Sequence, residues 1–396
     1  MAIQLKWPWL GIAIPTFLIS FIGYSAHYFI LLDHLSWKLQ LWFQFSLSMI
    51  WLSYYLAIKA DPGSPSIADK NEDIKTIRTY CKKCDAYKPP RAHHCKTCNK
   101  CILMMDHHCP WTMNCVGFKN YPHFLRFLFW VIVTTAFLLA QLFRRIGFIW
   151  TNWYSSSALV QRQEIVMLTI LTPMDAFILL TITLLLIRCT MNQIFSGMSQ
   201  IEKWEMERLE SSFYSRKEKS RDFLMILINN VFTIFSIESP EDYQEEVNGL
   251  LRQHDKRRLA FHSIINFPYD IDILTNATCV LGPFFSWLNP FGAPEGDGMH
   301  FELNEIASEK ASTLADLLLS LPWPPDTCTS KYGKSIDEGT KYVETHIEGG
   351  ECVLRNRTVS PSFDLPTANE NQLSRKSWTN EWGENLQAFG VDIEGE

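Results

Sequence analysis

The chain has 396 residues and a formal net charge of −6, so its overall charge gives no indication of nucleic-acid binding. This length could contain about two or three ordinary domains. The hydrophobic content of 47% is unevenly distributed, because residues 1–200 contain long uncharged runs whereas residues 201–396 are polar and rich in charge. The composition therefore argues against one uniform soluble domain and indicates a membrane-embedded first half.

Four stretches of the first half have the length of membrane-spanning helices, which need about 20 apolar residues. They are residues 7–32, 39–58, 127–143 and a stretch within 165–187. The first three carry no formal charge and are flanked by charged residues. The first is too long for the core of a signal peptide and has no evident cleavage site of small residues, so we expect it to be retained.

The fourth stretch is interrupted by Pro173 and Asp175. A carboxylate within a membrane is costly. We therefore expect Asp175 to cap the N-terminus of a helix at the membrane interface, with the span running over residues 176–195 and Arg188 reaching the far interface. His27, alone in the first span, is expected to be a packed or interfacial residue and not a ligand.

The distribution of basic residues predicts the orientation of the spans. The loop of residues 59–123 holds eleven Lys or Arg, whereas the loop of residues 33–38 holds one. Arg144, Arg145 and Arg162 on the opposite side weaken this asymmetry without reversing it. The 59–123 loop and both termini should therefore face the cytoplasm, where disulfides are disfavoured and metal binding by cysteines is favoured.

The 59–123 loop concentrates potential metal ligands, since seven of the 11 cysteines lie between Cys81 and Cys115. A gap of two residues lets two thiolates bind one ion, about 2.3 Å from each sulfur. This spacing occurs three times, at Cys81–Cys84, Cys95–Cys98 and Cys98–Cys101. With the two His-His pairs (His93–His94 and His107–His108), two closed four-ligand zinc sites would use eight residues and leave three.

The leftover residues could carry chemistry. Adjacent side chains in extended backbone point to opposite faces, so each His-His pair is expected to give one ligand. Cys109 lies two residues after His107, which places both on one face, and Asp106 could orient the His107 ring. A Cys–His–Asp arrangement for nucleophilic catalysis is thus available at a membrane face. The alternative is a purely structural zinc module.

The sequence Asp106-His107-His108-Cys109, in a cysteine-rich loop among four spans, resembles the DHHC protein S-acyltransferases, or palmitoyltransferases. Three further segments of residues 1–300 resemble motifs of that family. They are Asp61-Pro62-Gly63, Ser199-Gln200-Ile201-Glu202 at the family's TTxE motif, and residues 267–290, in which Asn276 matches a central Asn. Glu202 matches the family, but Gln200 replaces its second Thr, which puts the roles of Ser199 and Gln200 in doubt.

Together the spans and the resemblance predict an all-α polytopic membrane protein, with four transmembrane helices and a cytosolic two-zinc module between helices 2 and 3. The resemblance implies acyl transfer from palmitoyl-CoA to cysteine thiols of membrane proteins, with Cys109 as nucleophile, His107 as base and Asp106 orienting it. The implied ligand sets are Cys81, Cys84, His94 and Cys101 for one Zn²⁺, and Cys95, Cys98, His108 and Cys115 for the other.

Substrate contacts are expected near the nucleophile. The acyl chain should lie between the four helices, and Trp111 could line its entrance or instead anchor the chain at the membrane interface. Lys88 and Arg91 could contact the CoA phosphates, although a solvated basic patch would also explain them. The sequence more closely resembles fungal members of this family that lie in the endoplasmic-reticulum membrane and act on chitin synthase. The segments that carry this resemblance are "KWPWLGIAIP", "DHHCPWTMNCVGF", "LLSLPWPPD" and "WGENLQAFGVD".

We expect five parts along the chain: helices 1–2 in residues 1–58, the zinc module in 59–123, helices 3–4 in 124–198, a C-terminal region packing on the core in 199–300, and a largely flexible tail in 301–396.

Residues 201–213 have the pattern of an amphipathic helix. Residues 222–237 are apolar but too short for a fifth span. Tryptophan-containing motifs near the end are candidate docking segments, and Cys279, Cys328 and Cys352 should play no catalytic part.

Two non-enzymatic alternatives remain. A RING-like membrane ubiquitin ligase would use all its Cys and His ligands for metal, and a zinc-stabilised membrane scaffold would need no nucleophile. A hydroxylamine-labile acyl adduct on Cys109 would separate both from an acyltransferase. A transporter is disfavoured because no charged network lines the spans.

Overall fold

The computed structural model describes residues 7–65, 80–152, 154, 161–237, 240–308, 311–327, 342–348, 351–357 and 375–393. Part of the 59–123 loop, residues 66–79, therefore lies outside the described residues, as do Cys328 and much of the predicted tail. Cys352 lies in a described strand, but its side chain is outside the description.

Four helical segments are long and apolar enough to cross a membrane, as predicted: Leu10–His34, Trp37–Lys59, Tyr121–Thr151 and Arg162–Phe195. The first comprises α1 (Leu10–Ala26), a π-helical turn (His27–Leu31) and α2 (Leu32–His34). The others are α3 (Trp37–Lys59), α4 (Tyr121–Thr151) and α5 (Arg162–Thr190), which continues into a π-helical turn (Met191–Phe195). The protein is therefore a multi-pass membrane protein.

The four spans pack around a shared apolar core. Its buried residues include Phe43 and Leu47 of α3, Trp130 and Leu138 of α4, and Leu171 of α5. Lipid tails are as apolar as these side chains, so close packing and interhelical polar contacts, not burial from water, hold such helices together. One polar contact lies between α4 and α5, where Arg145 Nη2 donates to Glu164 Oε2 at 3.0 Å.

The expectation that Asp175 caps the fourth span was wrong. The helix begins at Arg162 and continues through Pro173, so Asp175 lies in its interior. Asp175 is 0% exposed, and its carboxylate oxygens have no hydrogen-bond partner among the described residues. The helix starts earlier because Glu164, in its first turn, is held by Arg145 and by His34 Nε2 at 3.2 Å.

Three small antiparallel hairpins form the module between α3 and α4. They pair β1 (Tyr80–Cys81) with β2 (Ala86–Tyr87), β3 (His93–Cys95) with β4 (Lys100–Ile102), and β5 (His107–Cys109) with β6 (Asn114–Val116). Each turn contains a residue in the left-handed region, Asp85 at φ 52°, Asn99 at 51° and Met113 at 51°. The prediction of an all-α protein with four spans and a Cys/His-rich module between the second and third is confirmed, in that the protein is mostly helical and its sheets are small.

The polar second half is also largely helical. It contains α6 (Gln200–Phe213), α7 (Lys217–Ile234), α8 (Gln244–Asp255), α9 (Ile273–Leu281), α10 (Glu305–Ser308), α11 (Leu314–Leu319) and a hairpin of β7 (Tyr342–Glu348) with β8 (Glu351–Arg357). In α6, Ile201, Trp204 and Leu209 are buried at the predicted helical spacing. α7 buries Phe223 and Leu227, and no fifth span occurs among the described residues.

The chain divides into two compact units. The first comprises residues 1–207, 269–305 and 379–396, and the second residues 208–268 and 306–378. Within the second unit, Arg208 Nη1 pairs with Asp326 Oδ2 at 2.7 Å. Within the first, Leu386, Phe389 and Val391 are buried. These described parts of the predicted flexible tail are thus folded, because their apolar residues have surfaces to pack against.

Candidate active site and metal clusters

The three hairpins of the module share one turn geometry. In the first two, the backbone N–H of the second cysteine points at the sulfur of the first, with Cys84 N at 3.4 Å from Cys81 Sγ and Cys98 N at 3.3 Å from Cys95 Sγ. The third hairpin has Cys109 at the end of its first strand and a left-handed residue four positions later, as the others do. Cys109 therefore occupies the position of a first metal-binding cysteine.

The first cluster joins the turn of the first hairpin to the paired strands of the second. It consists of Cys81, Cys84, His94 and Cys101. The three sulfurs lie 3.4, 3.3 and 3.8 Å from His94 Nδ1, and Cys84 Sγ lies 3.7 Å from Cys101 Sγ. His94 and Cys101 are directly opposite in the β3–β4 pairing, which brings both side chains to one face.

The second cluster repeats this arrangement one hairpin later, with Cys95, Cys98, His108 and Cys115. The sulfurs of Cys95, Cys98 and Cys115 lie 3.7, 3.5 and 3.5 Å from His108 Nδ1. His108 and Cys115 are opposite in the β5–β6 pairing, as His94 and Cys101 are in the preceding hairpin. The order of ligands along the chain thus follows the order of the hairpins.

Both donor sets suit zinc. A tetrahedral Zn²⁺ with bonds of about 2.3 Å to sulfur and about 2.0 Å to nitrogen requires donors about 3.5–3.8 Å apart. The contacts given above run from 3.3 to 3.8 Å, and Cys98 Sγ lies 3.4 Å from Cys115 Sγ, which is within a few tenths of an ångström of this geometry. The described cysteines form no disulfides. The two clusters therefore fit two zinc ions, and they contain the eight residues that the resemblance implied, leaving out His93, His107 and Cys109.

The two faces of strand β5 carry different groups of residues. Alternation along the strand places His107 and Cys109 on one face and His108, a member of the second cluster, on the other. His107 Nδ1 donates to Asp106 Oδ2 at 2.7 Å, and the His107 ring contacts Phe124 edge-on at 5.6 Å. The His107 side chain is 23% exposed, so it can be reached while its tautomer is fixed.

The electrostatics of the Cys109–His107 pair favour charge separation. Burial raises the pKa of the Cys109 thiol, but a hydrogen bond with His107 and the charge of that ring lower it, and the net pKa lies below its ordinary value. Burial likewise lowers the pKa of His107, but hydrogen bonds and charges of Asp106 and Cys109 raise it to about 10. The pair is thus arranged as a nucleophile with an adjacent base.

Asp106 is held by groups that the sequence did not reveal. The backbone N–H of Gln200, at the start of α6, donates to Asp106 Oδ1 at 2.8 Å, and Gln193 Nε2 donates to the same oxygen at 3.3 Å. The Gln200 side chain instead accepts from Arg188 Nε at 3.1 Å. Replacement of the family's second Thr is therefore compatible with this contact, because the main chain makes it. The only signal for Gln193 in the sequence was a polar residue near the end of the fourth apolar span.

The tip of the third hairpin rests on the membrane helices. A Cβ added to Gly11 of α1 would lie 1.9 Å from Pro110 O, and Tyr54 Oη of α3 donates to Trp111 O at 2.8 Å. Asn114 Nδ2 donates to Ala60 O at 2.9 Å, at the end of α3. The segment after Cys109 therefore lies against the ends of two spans, and the Trp111 side chain is 37% exposed there.

Arg91 and Lys88 are both buried. The Arg91 side chain is 4% exposed, and its Nε and Nη2 donate to the two carboxylate oxygens of Glu202, each at 2.7 Å. The rings of Tyr269 and Phe301 lie 5.0 and 4.8 Å from its guanidinium carbon. A CoA phosphate could reach Arg91 only by opening this ion pair, and the phosphate contacts of Lys88 and Arg91 remain a prediction.

The remaining family-like motifs have structural partners. Glu202 Oε2 accepts from the backbone N–H of Ser199 at 2.7 Å, and Ser199 Oγ accepts from that of Glu202, which together cap α6. Asn276 Nδ2 donates to Ile194 O at 3.2 Å, within the π-helical turn that carries Gln193. Gly63 O accepts from the backbone N–H of Leu103 at 3.1 Å, which attaches the end of α3 to the module.

Comparisons with known proteins identify the family of the chain. The DHHC palmitoyltransferase family profile matches residues 74–207, which include both clusters and the Asp106–Cys109 segment. Proteins named Palmitoyltransferase PFA4 are 52% identical in Candida glabrata, 50% in Saccharomyces cerevisiae and 49% in Eremothecium gossypii. Each alignment covers 100% of both chains. Neither non-enzymatic alternative gains support from these similarities.

Proposed function

This chain belongs to the DHHC palmitoyltransferase family and is a protein S-palmitoyltransferase, and from that premise we propose that Cys109 carries the acyl group as a thioester between two half-reactions. His107 serves as the base for both, and Asp106 fixes its tautomer. The observation that carries this proposal is the 2.7 Å hydrogen bond from His107 Nδ1 to Asp106, with Cys109 on the same face of β5.

In the first half-reaction, the Cys109 sulfur attacks the thioester carbonyl of palmitoyl-CoA. The new S–C bond forms as the bond to the CoA sulfur breaks, and CoA leaves with the proton that His107 took from Cys109. In the second, His107 takes the proton of an acceptor cysteine, whose sulfur attacks the acyl-enzyme, and that proton returns to Cys109. One thioester replaces another in each step, so no further reactant is required.

The acyl chain is proposed to lie between the spans, next to the hairpin tip. The contacts of Pro110 with Gly11 and of Trp111 with Tyr54 support this position, since they place the residues after Cys109 at the ends of α1 and α3. Each buried methylene contributes about 0.8 kcal/mol, so a long chain binds strongly without a polar pocket. Trp111 is proposed to line the entrance, and Lys88 and Arg91 to contact the CoA phosphates.

The two zinc sites are proposed to be structural. Zinc bound by four protein donors supplies no open coordination position, and its contribution is to hold the hairpins in place. The same ions would fix His108, and hence the neighbouring His107 and Cys109, without taking part in acyl transfer. Cys81, Cys84, His94 and Cys101 are the proposed ligands of one ion, and Cys95, Cys98, His108 and Cys115 those of the other.

The proposed setting is the endoplasmic-reticulum membrane, with the zinc module and both termini in the cytosol. The excess of Lys and Arg in the loop of residues 59–123 supports this orientation. The proposed acceptors are cysteines of membrane proteins, among them chitin synthase. The resemblance to fungal members that act on chitin synthase supports this choice. Such substrates would present their thiols at the membrane face where Cys109 lies.

A single-turnover experiment tests the two-step scheme. The full-length protein in detergent is loaded with labelled palmitoyl-CoA, freed of CoA on a desalting column, and mixed with a membrane-protein acceptor. Label should move from enzyme to acceptor without added acyl-CoA. A Cys279→Ser variant should behave as the wild type, and transfer that requires acyl-CoA to be present throughout would refute the scheme.

A further inference from the structure

The last described segment of the chain packs on the zinc module. Residues 380–393, called here the C-terminal clasp, belong to the same compact unit as the spans and the hairpins. Its apolar residues Leu386, Phe389 and Val391 are buried. The clasp therefore has a defined docking surface although long stretches of sequence separate it from the rest of that unit.

The clasp adds an extended segment to the free edge of β3. The backbone N–H of Lys96 donates to Gly390 O at 2.9 Å, and that of Asp392 donates to His94 O at 2.8 Å. Val391 forms an antiparallel bridge with Cys95 between these bonds. The clasp thus pairs with the backbone of one residue from each metal cluster, in the manner of an added strand.

One contact reaches the strand that carries the nucleophile. Gly390 has φ 84°, and a Cβ added to it would lie 2.6 Å from the Cβ of His108. Only glycine allows both this backbone conformation and this approach. The clasp backbone is therefore fixed against the metal-binding face of β5, opposite to the face that carries His107 and Cys109.

The clasp also contacts α6, the helix whose first N–H binds Asp106. Trp204 Nε1 donates to Glu384 O at 3.0 Å, and the buried Asp392 pairs with Lys83 in the turn of the first hairpin. Zinc would hold the hairpins to one another, but Asp106 depends on α6 for its position. The clasp joins these two parts, as the Arg91–Glu202 pair does elsewhere.

We propose that the clasp is a positioning element of the acyltransferase, which sets His107 and Cys109 on β5 relative to Asp106 and α6 through Gly390 and the Asp392–Lys83 pair. This inference rests on the proposed function of Cys109. The clasp itself is not proposed to contact the acyl group or the acceptor. A misplacement of about 1 Å at a reacting group can lower a rate by about a hundredfold, which gives such contacts a measurable effect.

Two glycines of the segment provide a matched pair of variants. Gly390→Ala places a methyl group against His108, whereas Gly383→Ala has the same backbone strain, at φ 73°, with nothing within 4 Å of the new Cβ. In full-length protein, Gly390→Ala should slow acyl-enzyme formation about ten- to hundredfold, with the KM for palmitoyl-CoA and the content of two zinc ions unchanged. Equal rates for the two variants would overturn the proposal.

The ion pair gives a second test should Gly390→Ala lose zinc or fail to fold. Lys83→Asp and Asp392→Lys should each lower kcat, and the double variant should recover most of it, because the pair is restored with reversed charges. Failure of the double variant to recover kcat while its zinc and melting temperature match the wild type would overturn the proposal. Cys109→Ser, assayed in parallel, separates this failure from failure of the proposed function, since only the latter leaves that variant acylated.

Discussion

Cys109 occupies in the third hairpin the place that Cys95 occupies in the second. Each ends the first strand of its hairpin, and a left-handed residue follows four positions later, Met113 after Cys109 and Asn99 after Cys95. Cys95 meets His108 and Cys115 of the next hairpin, whereas α4 follows the third hairpin and supplies no such donors. The same local geometry therefore produces a metal-binding sulfur in one hairpin and leaves a sulfur available for chemistry in the next.

Restoring the missing cysteine of the third turn should create a competing metal site. Thr112 stands where Cys84 and Cys98 stand in the other hairpins, so Thr112→Cys gives Cys109 a partner at the two-residue spacing that zinc requires. Added Zn²⁺ should then inhibit acyl-enzyme formation at lower concentrations than in the wild type, and a chelator should reverse the inhibition. Thr112→Ser is the control, and equal zinc sensitivity of all three proteins would contradict the equivalence of the turns.

Gln193 should matter for catalysis more than Gln200. Gln193 donates to Asp106 with its side chain, whereas Gln200 donates with its backbone. A hydrogen bond to a charged group contributes about 1.5–3 kcal/mol, so Gln193→Leu should slow acyl-enzyme formation by about tenfold or more at unchanged zinc content. Gln200→Ala should stay near the wild-type rate, and the reverse order of effects in single-turnover assays would refute this assignment.

Arg91→Lys separates a structural from a substrate-binding role. Lysine keeps the charge but cannot make the two-pronged contact with Glu202, so the loss of one of the two charged hydrogen bonds should destabilise the protein by about 1.5–3 kcal/mol. A thermal-unfolding assay should show a lower melting temperature for this variant. A raised KM for palmitoyl-CoA at unchanged melting temperature would instead assign Arg91 mainly to the CoA phosphates.

Gly11→Ala should disturb the hairpin tip from the side of the membrane. The added methyl group would lie 1.9 Å from the carbonyl oxygen of Pro110, the residue after Cys109. Either α1 or the hairpin tip would therefore have to move. Transfer activity should fall strongly while the zinc content is kept. Gly147→Ala, also in a span, has nothing within 4 Å of the added Cβ and should be neutral or slightly stabilising. Equal activities would contradict the packing of Pro110 on α1.

Much of this architecture follows from local patterns. Apolar runs of sufficient length predicted the four spans, and the repeated two-residue spacing of cysteines predicted the metal clusters. The alternation of His107, His108 and Cys109 in extended backbone predicted their division between two faces. These features depend on neighbours along the chain, which a sequence displays directly.

Contacts between distant segments could not be predicted in this way. The ion pair between Arg91 and Glu202 joins residues far apart along the chain, so the sequence shows the charge of Arg91 but not this partner, and its contact with a CoA phosphate stays a prediction. Asp175 was predicted to cap a helix because a carboxylate inside a membrane is costly, and the sequence shows that carboxylate directly. The contacts of Glu164 with His34 and Arg145, which favour an earlier helix start, cannot be read from the sequence. The clasp lies in the tail that was expected to be largely flexible, and its tryptophan-containing motif was a candidate docking segment; the sequence did not show the surface on which its apolar residues pack.

The central claim is that Cys109 carries the acyl group while Cys95, in the equivalent position, holds zinc. The direct measurement is the mass of full-length protein after incubation with palmitoyl-CoA, with hydroxylamine release and peptide mapping of the adduct, alongside zinc content. The wild type should carry one thioester on Cys109, Cys109→Ser should carry none while retaining two zinc ions, and Cys95→Ser should lose metal and stability. A Cys109→Ser protein that still forms the thioester, or that loses its zinc, would contradict the account.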